Sequence, residues 1–203
     1  EIAFLVEWDD STNKQEEIFR DAVSLQFPTK IPESLKKPYF AMGDSSGTVN
    51  LWSWKAYWSE GFGSVAEAPE SEPGKVIELN AKGFKNIVTQ PPESQNVTGK
   101  GIYQNGRWKV VMKRSLKTED AKGDIQFEIG KLIPIAFAIW DGSNSDVAGQ
   151  KSVSSWYYIS LEKLVPKTVF VYVLIAIVMG ASIEMWFVAR LRRFPPKLDE
   201  EGQ

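Results

Sequence analysis

Apolar and polar positions alternate in short runs over the first 163 residues; beyond them the alternation gives way to one unbroken apolar stretch. IAFLVEW (2–8) opens the chain and is followed by the polar turn DDSTNKQ. EEIFRDAVSLQF fits either an amphipathic strand pair or a short helix, and VNLWSWKAYW (49–58) is aromatic-rich with partial alternation. After an acidic, Gly/Pro-rich loop over 59–75 come KVIEL, GIYQNGRWKVVMKRSL, IQFEI, LIPIAFAIWDG and SVSSWYYISL, at nearly regular spacing. Asn105-Gly106 is a two-residue hairpin signal, because both residues tolerate positive φ. Asp141-Gly142 ends another strand in the same way. No 3.6-residue period is sustained before residue 163, and short strands separated by turn residues predict an all-β sandwich or barrel.

Thr168–Ala189 reads TVFVYVLIAIVMGASIEMWFVA, with Glu184 as its one charge. As a helix it would reach roughly 33 Å, enough to cross a hydrocarbon core of about 30 Å. Lys163 and Lys167 precede it, whereas Arg190, Arg192, Arg193 and Lys197 follow it. Excess positive charge after a span marks the cytoplasmic side. The expected organisation is thus an extracytoplasmic domain over 1–163, a transmembrane segment over 164–190 and a cytoplasmic tail over 191–203. Such an orientation normally needs an N-terminal signal, and none precedes Ile2. The chain is therefore expected to be a processed form or part of a longer one, with upstream residues completing the first strand. Asn96-Val97-Thr98 matches the N-glycosylation pattern in a polar loop on the outer side.

Composition narrows the chemistry. Among 203 residues there is no cysteine and no histidine. That excludes disulfides, thiolate metal sites, covalent c-type haem, histidine-ligated metals and the usual catalytic triads. A metal held here must use Met, Lys, Tyr, carboxylate or backbone oxygen. The formal net charge of −2 shows no basic excess, so no nucleic-acid partner is expected. Asp9, Asp10, Glu16, Glu17 and Asp141 fall in turns and on solvated faces, and no phosphate loop, GxSxG or HExxH is present. Catalysis by this chain alone is not expected.

Two segments carry a more specific signal. One is Lys37-Pro-Tyr-Phe-Ala-Met-Gly-Asp44, continuing to Val49-Asn-Leu-Trp-Ser-Trp-Lys55; the other is Ala138-Ile-Trp-Asp-Gly-Ser143 with Ala148-Gly-Gln-Lys-Ser-Val-Ser-Ser-Trp-Tyr-Tyr158. Together they resemble the haem b-binding γ-subunit family of ethylbenzene dehydrogenase and dimethyl sulfide dehydrogenase, the cytochrome subunits of DMSO-reductase-type molybdoenzymes. The resemblance covers most of residues 1–163. It implies one non-covalent b-type haem in a β-sandwich, with Met42 and Lys151 as the axial ligands. Trp54, Trp140 and Trp156 are further candidates for contact with the cofactor, as wall or as sandwich core. The implied partners are molybdopterin and iron–sulfur subunits, or a membrane cytochrome or quinone-reactive subunit.

The resemblance has physical requirements. A thioether is a soft neutral ligand that favours Fe(II), and an amine binds a metal only when deprotonated. Lysine must therefore be pulled below its reference pKa of about 10.4 by burial or by the metal. The better-known family members are soluble, whereas this chain ends in a predicted membrane helix, with the lipid bilayer as a further partner. A different reading stays open: an anchored, haem-free binding module, since immunoglobulin-like or carbohydrate-binding-module-like sandwiches stack sugars on exposed Trp or Tyr.

Overall fold

The computed structural model describes residues 1–12, 19–32, 36–56, 76–163 and 166–193. Glu16, Glu17, the whole of the acidic loop 59–75 and the tail from 194 lie outside the described residues. Among the described residues the chain forms ten strands: β1 (Ile2–Asp9), β2 (Ala22–Pro28), β3 (Val49–Lys55), β4 (Val76–Ala81), β5 (Ile87–Thr89), β6 (Thr98–Gln104), β7 (Arg107–Arg114), β8 (Leu132–Trp140), β9 (Ser152–Val153) and β10 (Tyr157–Ser160). A C-terminal helix, α1 (Thr168–Arg193), follows. The strands make two antiparallel sheets. One has the order β1-β7-β6; the other runs β10-β8-β2-β3-β4-β5, with β9 paired to β8. The architecture is a β-sandwich with one apolar helix.

The small sheet is built as its alternation predicts. Phe4, Val6 and Trp8 of β1 and Trp108, Val110 and Met112 of β7 face inward, while Leu5, Glu7 and Val111 face solvent. The β6–β7 hairpin turns at Asn105 and Gly106, whose φ values of 54° and 72° are those of the turn the sequence signals. Inside the sandwich, Phe4, Phe27, Trp52 and Phe127 form one aromatic group. Trp8, Trp54, Trp108 and Tyr103 form another.

Gly101 on β6 admits the second group. A Cβ there would sit 2.6 Å from Cε2 and 2.7 Å from Cη2 of Trp54. Gly101→Ala is expected to cost on the order of 1–3 kcal/mol of unfolding free energy by overpacking. Denaturant titration checks it, and an unchanged midpoint would show that Trp54 can move aside.

In the larger sheet the pattern departs from simple alternation. Every residue of β2, and all but the last of β3, is buried. Val23, Leu25, Phe27, Trp52 and Trp54 join the sandwich core. The intervening Ser24, Gln26, Leu51 and Ser53 are covered from the other side by the loops around residues 40 and 148. A strand covered on both faces reads as a continuous apolar run or as misleading alternation.

Three expectations change. IQFEI (125–129) is not a strand: Ile125 and Phe127 are buried, but the segment is held only by bonds such as Phe127 N–H to the Leu116 carbonyl at 2.9 Å. From EEIFRDAVSLQF, the part from Ala22 onward is one strand, not a strand pair or helix. β5, which follows the tight turn 82–86, has no clear signal in its three residues.

Residues Glu1–Glu162 and Lys163–Gln203 form separate compact units. Within the second, α1 runs unbroken from Thr168 and carries Arg190, Arg192 and Arg193 in its last turn. No residue of the helix is buried, and it is long and apolar enough to cross a membrane. Arg190 lies 5.4 Å from the Trp186 ring.

Candidate functional site

The outer face of the larger sheet holds a cavity of about 230 Å³. Ser24, Gln26, Leu51, Ser53, Ala136 and Ala138 line it from the sheet, and the small residues among them leave its floor low. Its walls come from three loops. The loop after β2 brings Phe40 and Met42, the turn between β4 and β5 brings Phe84, and the loop after β8 brings Ala148, Gly149 and Lys151 beside Trp140.

The methionine loop is bent by hydrogen bonds. Gln26 reaches out of β2, donating from Nε2 to the Phe40 carbonyl at 2.6 Å and accepting the Met42 N–H at 2.9 Å. Gly83 N–H donates to the Met42 carbonyl at 2.8 Å. These bonds hold Met42 at φ 69°, a left-handed conformation that costs an unbranched residue roughly 1–2 kcal/mol. Gly43 follows at φ 71°, where a Cβ would lie 2.8 Å from the Gly47 carbonyl oxygen. A strained non-glycine residue kept in place by dedicated bonds is a frequent mark of a functional position.

The lysine loop has a similar build. Asp141 caps its first turn by accepting the Ser143 N–H at 2.8 Å, and Ser145 and Ala148 take φ values of 60° and 51°. Trp140 Nε1 donates to the Ala148 carbonyl at 3.2 Å, tying the loop back to β8. Ser154 accepts the Phe137 N–H at 2.9 Å and so fixes the segment just beyond Lys151.

Met42 and Lys151, 109 positions apart, meet across the cavity: Lys151 Nζ is 3.3 Å from Met42 Sδ. Its other neighbours are the Ala148 carbonyl at 3.5 Å, the Trp140 ring at 4.8 Å and the Phe84 ring at 5.5 Å. Among the described residues no carboxylate pairs with it. Burial alone pulls the ammonium down to about 8. A half-buried amine without a counter-charge, directed at a thioether, is a poor salt-bridge partner and a good soft-metal donor.

The other sequence candidates separate. Trp140 lines the cavity. Trp156 packs with Val49, Leu51 and Ala81 alongside Met42, and donates from Nε1 to the Pro38 carbonyl at 2.8 Å, so it braces the methionine loop. Trp54 lies on the opposite face of β3, in the sandwich core, because residues 51 and 53 point to the cavity and 52 and 54 away from it. Of the two readings the sequence left open for it, wall or sandwich core, its place is the core. Gln26 and Phe84 were not legible as site residues: Gln26 alternates with apolar neighbours like any surface residue, and Phe84 sits in a turn.

Elsewhere, carboxylate oxygens of Asp10, Asp21 and Asp141 lie within 4.8 Å of one another. They accept bonds from Thr12, Trp108, Gly142 and Ser143, joining the ends of β1, β2 and β8.

The fold and site define a class: a β-sandwich presenting a thioether and an amine in an apolar cavity outside its larger sheet. The family model described as ethylbenzene dehydrogenase matches residues 1–152, a stretch that contains both donors. The chain belongs to this family. It is similar to a respiratory nitrate reductase heme subunit of Haloferax mediterranei, with 31% identity over 140 residues, covering 69% of this chain and 43% of that protein. The chlorate reductase subunit gamma of Ideonella dechloratans is 28% identical over 155 residues, with 74% and 56% covered. The dimethylsulfide dehydrogenase subunit gamma of Rhodovulum sulfidophilum is 30% identical over 163 residues, with 74% and 52% covered. The chain spans about half the length of these curated relatives.

Proposed function

We propose that this chain is the b-type cytochrome subunit of a membrane-associated respiratory oxidoreductase, relaying single electrons through one non-covalent haem held by Met42 and Lys151. The observation that carries the reading is the contact of Lys151 Nζ with Met42 Sδ at 3.3 Å in an apolar cavity, with no carboxylate beside them among the described residues. The donor set fits the group: one soft neutral sulfur and one amine whose charge burial already disfavours. The two donors touch, so holding a metal between them requires the pair to open. The long lysine stem and the open space around Gly149, where a Cβ would meet nothing within 4 Å, allow that.

When bound, a haem supplies a one-electron Fe(III)/Fe(II) couple. The protein's residues set its surroundings. Met42 favours the reduced state as a neutral thioether. Lys151 must release its proton to bind and is predisposed to do so. Trp140, Phe84 and Phe40 exclude water from the walls. The proposed partners are a molybdopterin and iron–sulfur catalytic pair or a membrane cytochrome. In this reading residues 1–163 lie on the outer face and α1 anchors them, with the C-terminus in the cytoplasm.

Full-length protein purified in detergent is expected to give a pyridine haemochrome of the b type and a low-spin spectrum. Met42→Leu keeps the bulk but removes the sulfur, and should shift that spectrum and lower the midpoint potential while thermal unfolding changes little. Protein that purifies folded and colourless, and takes up no added haem, would favour the haem-free binding module instead.

A further inference from the structure

Across the sheet from the cavity, inside the sandwich, Glu78, Arg114 and Asp124 form a charged cluster with fully buried side chains. Arg114 Nη1 lies 3.1 Å from Glu78 Oε2 and 3.3 Å from Asp124 Oδ1. The guanidinium also donates from Nη2 to the Ile125 carbonyl and lies 4.9 Å from the Trp52 ring and 5.5 Å from that of Phe127. Two carboxylates against one guanidinium leave an excess negative charge in a dry interior, unless the pair retains a proton.

Hydrogen bonding indicates where that proton can sit. Glu78 Oε1 accepts the N–H groups of Asn96 at 2.6 Å and Val97 at 2.8 Å, so this carboxylate is well solvated by the backbone as an anion. Asp124 Oδ1 accepts Gln90 Nε2 at 2.9 Å, but among the described residues its Oδ2 has no partner. A buried anionic oxygen without a donor is costly. Burial, and then the charge of Asp124, push Glu78 up to about 7 against the pull of Arg114.

Two features link this pair to solvent and to the cavity. A polar cleft of about 500 Å³, lined by Asn96, Ser115, Lys117, Glu119 and Asp120 among others, reaches Arg114. On β4, Glu78 is adjacent to Leu79, which lines the cavity on the other face; the register places Glu78 opposite Trp52 and Leu79 opposite Leu51, another cavity residue. The cluster is thus separated from the cavity by the thickness of one sheet. Charges buried on both sides of it are little screened by salt.

We propose that the Glu78–Arg114–Asp124 cluster is a proton-binding site that takes up one proton through the cleft when an electron enters the cavity. The proposal rests on the electron-relay reading. The electron comes from a one-electron donor protein and the proton from solvent water. One O–H bond forms on a carboxylate oxygen, one breaks in the hydronium donor, and the protein's net charge is unchanged.

The test is a redox titration of the haem-loaded full chain from about pH 5.5 to 8.5, with redox-difference infrared spectra of the carboxyl region. In the wild type the midpoint potential should fall as pH rises through neutrality, and a protonated-carboxyl band should grow on reduction. Asp124→Asn leaves a neutral Glu78–Arg114 pair with no need of a proton; it should lose both the slope and the band, as should Glu78→Gln. A flat wild-type potential, no carboxyl band, or a slope that persists in both variants overturns the proposal, the last by placing the proton on another group. Should the wild type bind no haem at all, the electron-relay reading falls with it; should it bind haem and respond to replacement of Met42 yet show no slope, only the proton link falls.

Discussion

Replacing Lys151 with leucine should abolish stable haem retention while making the haem-free protein more resistant to unfolding. Opposite effects of one substitution are expected because the amine is in conflict with its surroundings. Its described neighbours are a thioether, a backbone carbonyl and two aromatic rings, and among the described residues no carboxylate offsets its charge. Burial pulls its pKa down to about 8, below its ordinary value of 10.5. A lysine with a depressed folded pKa destabilises the fold at every pH where the unfolded chain keeps it charged, and the penalty disappears only above the unfolded value. Discounted for its partial exposure, the relief on removing it is on the order of 1–2 kcal/mol near neutral pH.

The effect on binding has the opposite sign. Leucine provides no donor, and a haem left with a single thioether should bind at least tenfold more weakly, a cost of about 1.4 kcal/mol or more. Haem titration and thermal unfolding of the same two proteins check both halves. Unchanged haem affinity in Lys151→Leu would remove this residue from the site. A drop in the stability of the haem-free variant would mean that the lysine is structural. A residue that costs stability but is needed for binding is the usual sign of a functional position.

The second large effect is expected at Arg114. Arg114→Ala leaves Glu78 and Asp124 buried against each other with no cation between them. Breaking a buried ion group by removing one partner typically costs 3–5 kcal/mol, and for a unit of this size that lowers the melting temperature by roughly 10 °C. The stacked contacts with Trp52 and Phe127 are lost as well. The pH dependence distinguishes this from a simple cavity. Glu78 is already raised above its ordinary value of 4.5, and losing the guanidinium raises it further. Acids whose folded pKa is raised contribute their stability at low pH and lose it as pH rises through the folded value. The gap between variant and wild type should therefore be small near pH 5 and widen toward pH 8. A gap independent of pH would mean that only lost packing is being measured.

Much of this was legible in the chain. The β6–β7 hairpin follows from Asn105-Gly106, which can take the positive φ values the turn needs. β1 and β7 are each half-buried strands, and their alternation names the inward residues correctly. The apolar run after Thr168 is long enough to be one helix whatever surrounds it. The absence of histidine and cysteine confined any metal donors to a few residue types, and the family resemblance implied Met42 and Lys151, which the fold brings to 3.3 Å of each other.

What the chain could not disclose is which face of each strand is covered, and by what. Alternation separates two faces but does not say that both are buried. Ser24 and Gln26 alternate with apolar neighbours although loops roof them over, and Trp54, open between wall and core in the sequence, points into the sandwich. Period two decides sides only relative to a neighbour. The Glu78–Arg114–Asp124 cluster has the same origin, being gathered from β4, β7 and the loop after it by sheet packing rather than by spacing. Local chemistry along the chain determined the turns, the strands, the helix and the available donors. Long-range closure decided which donors meet, because a contact across 109 residues exists only after two sheets and their loops have packed.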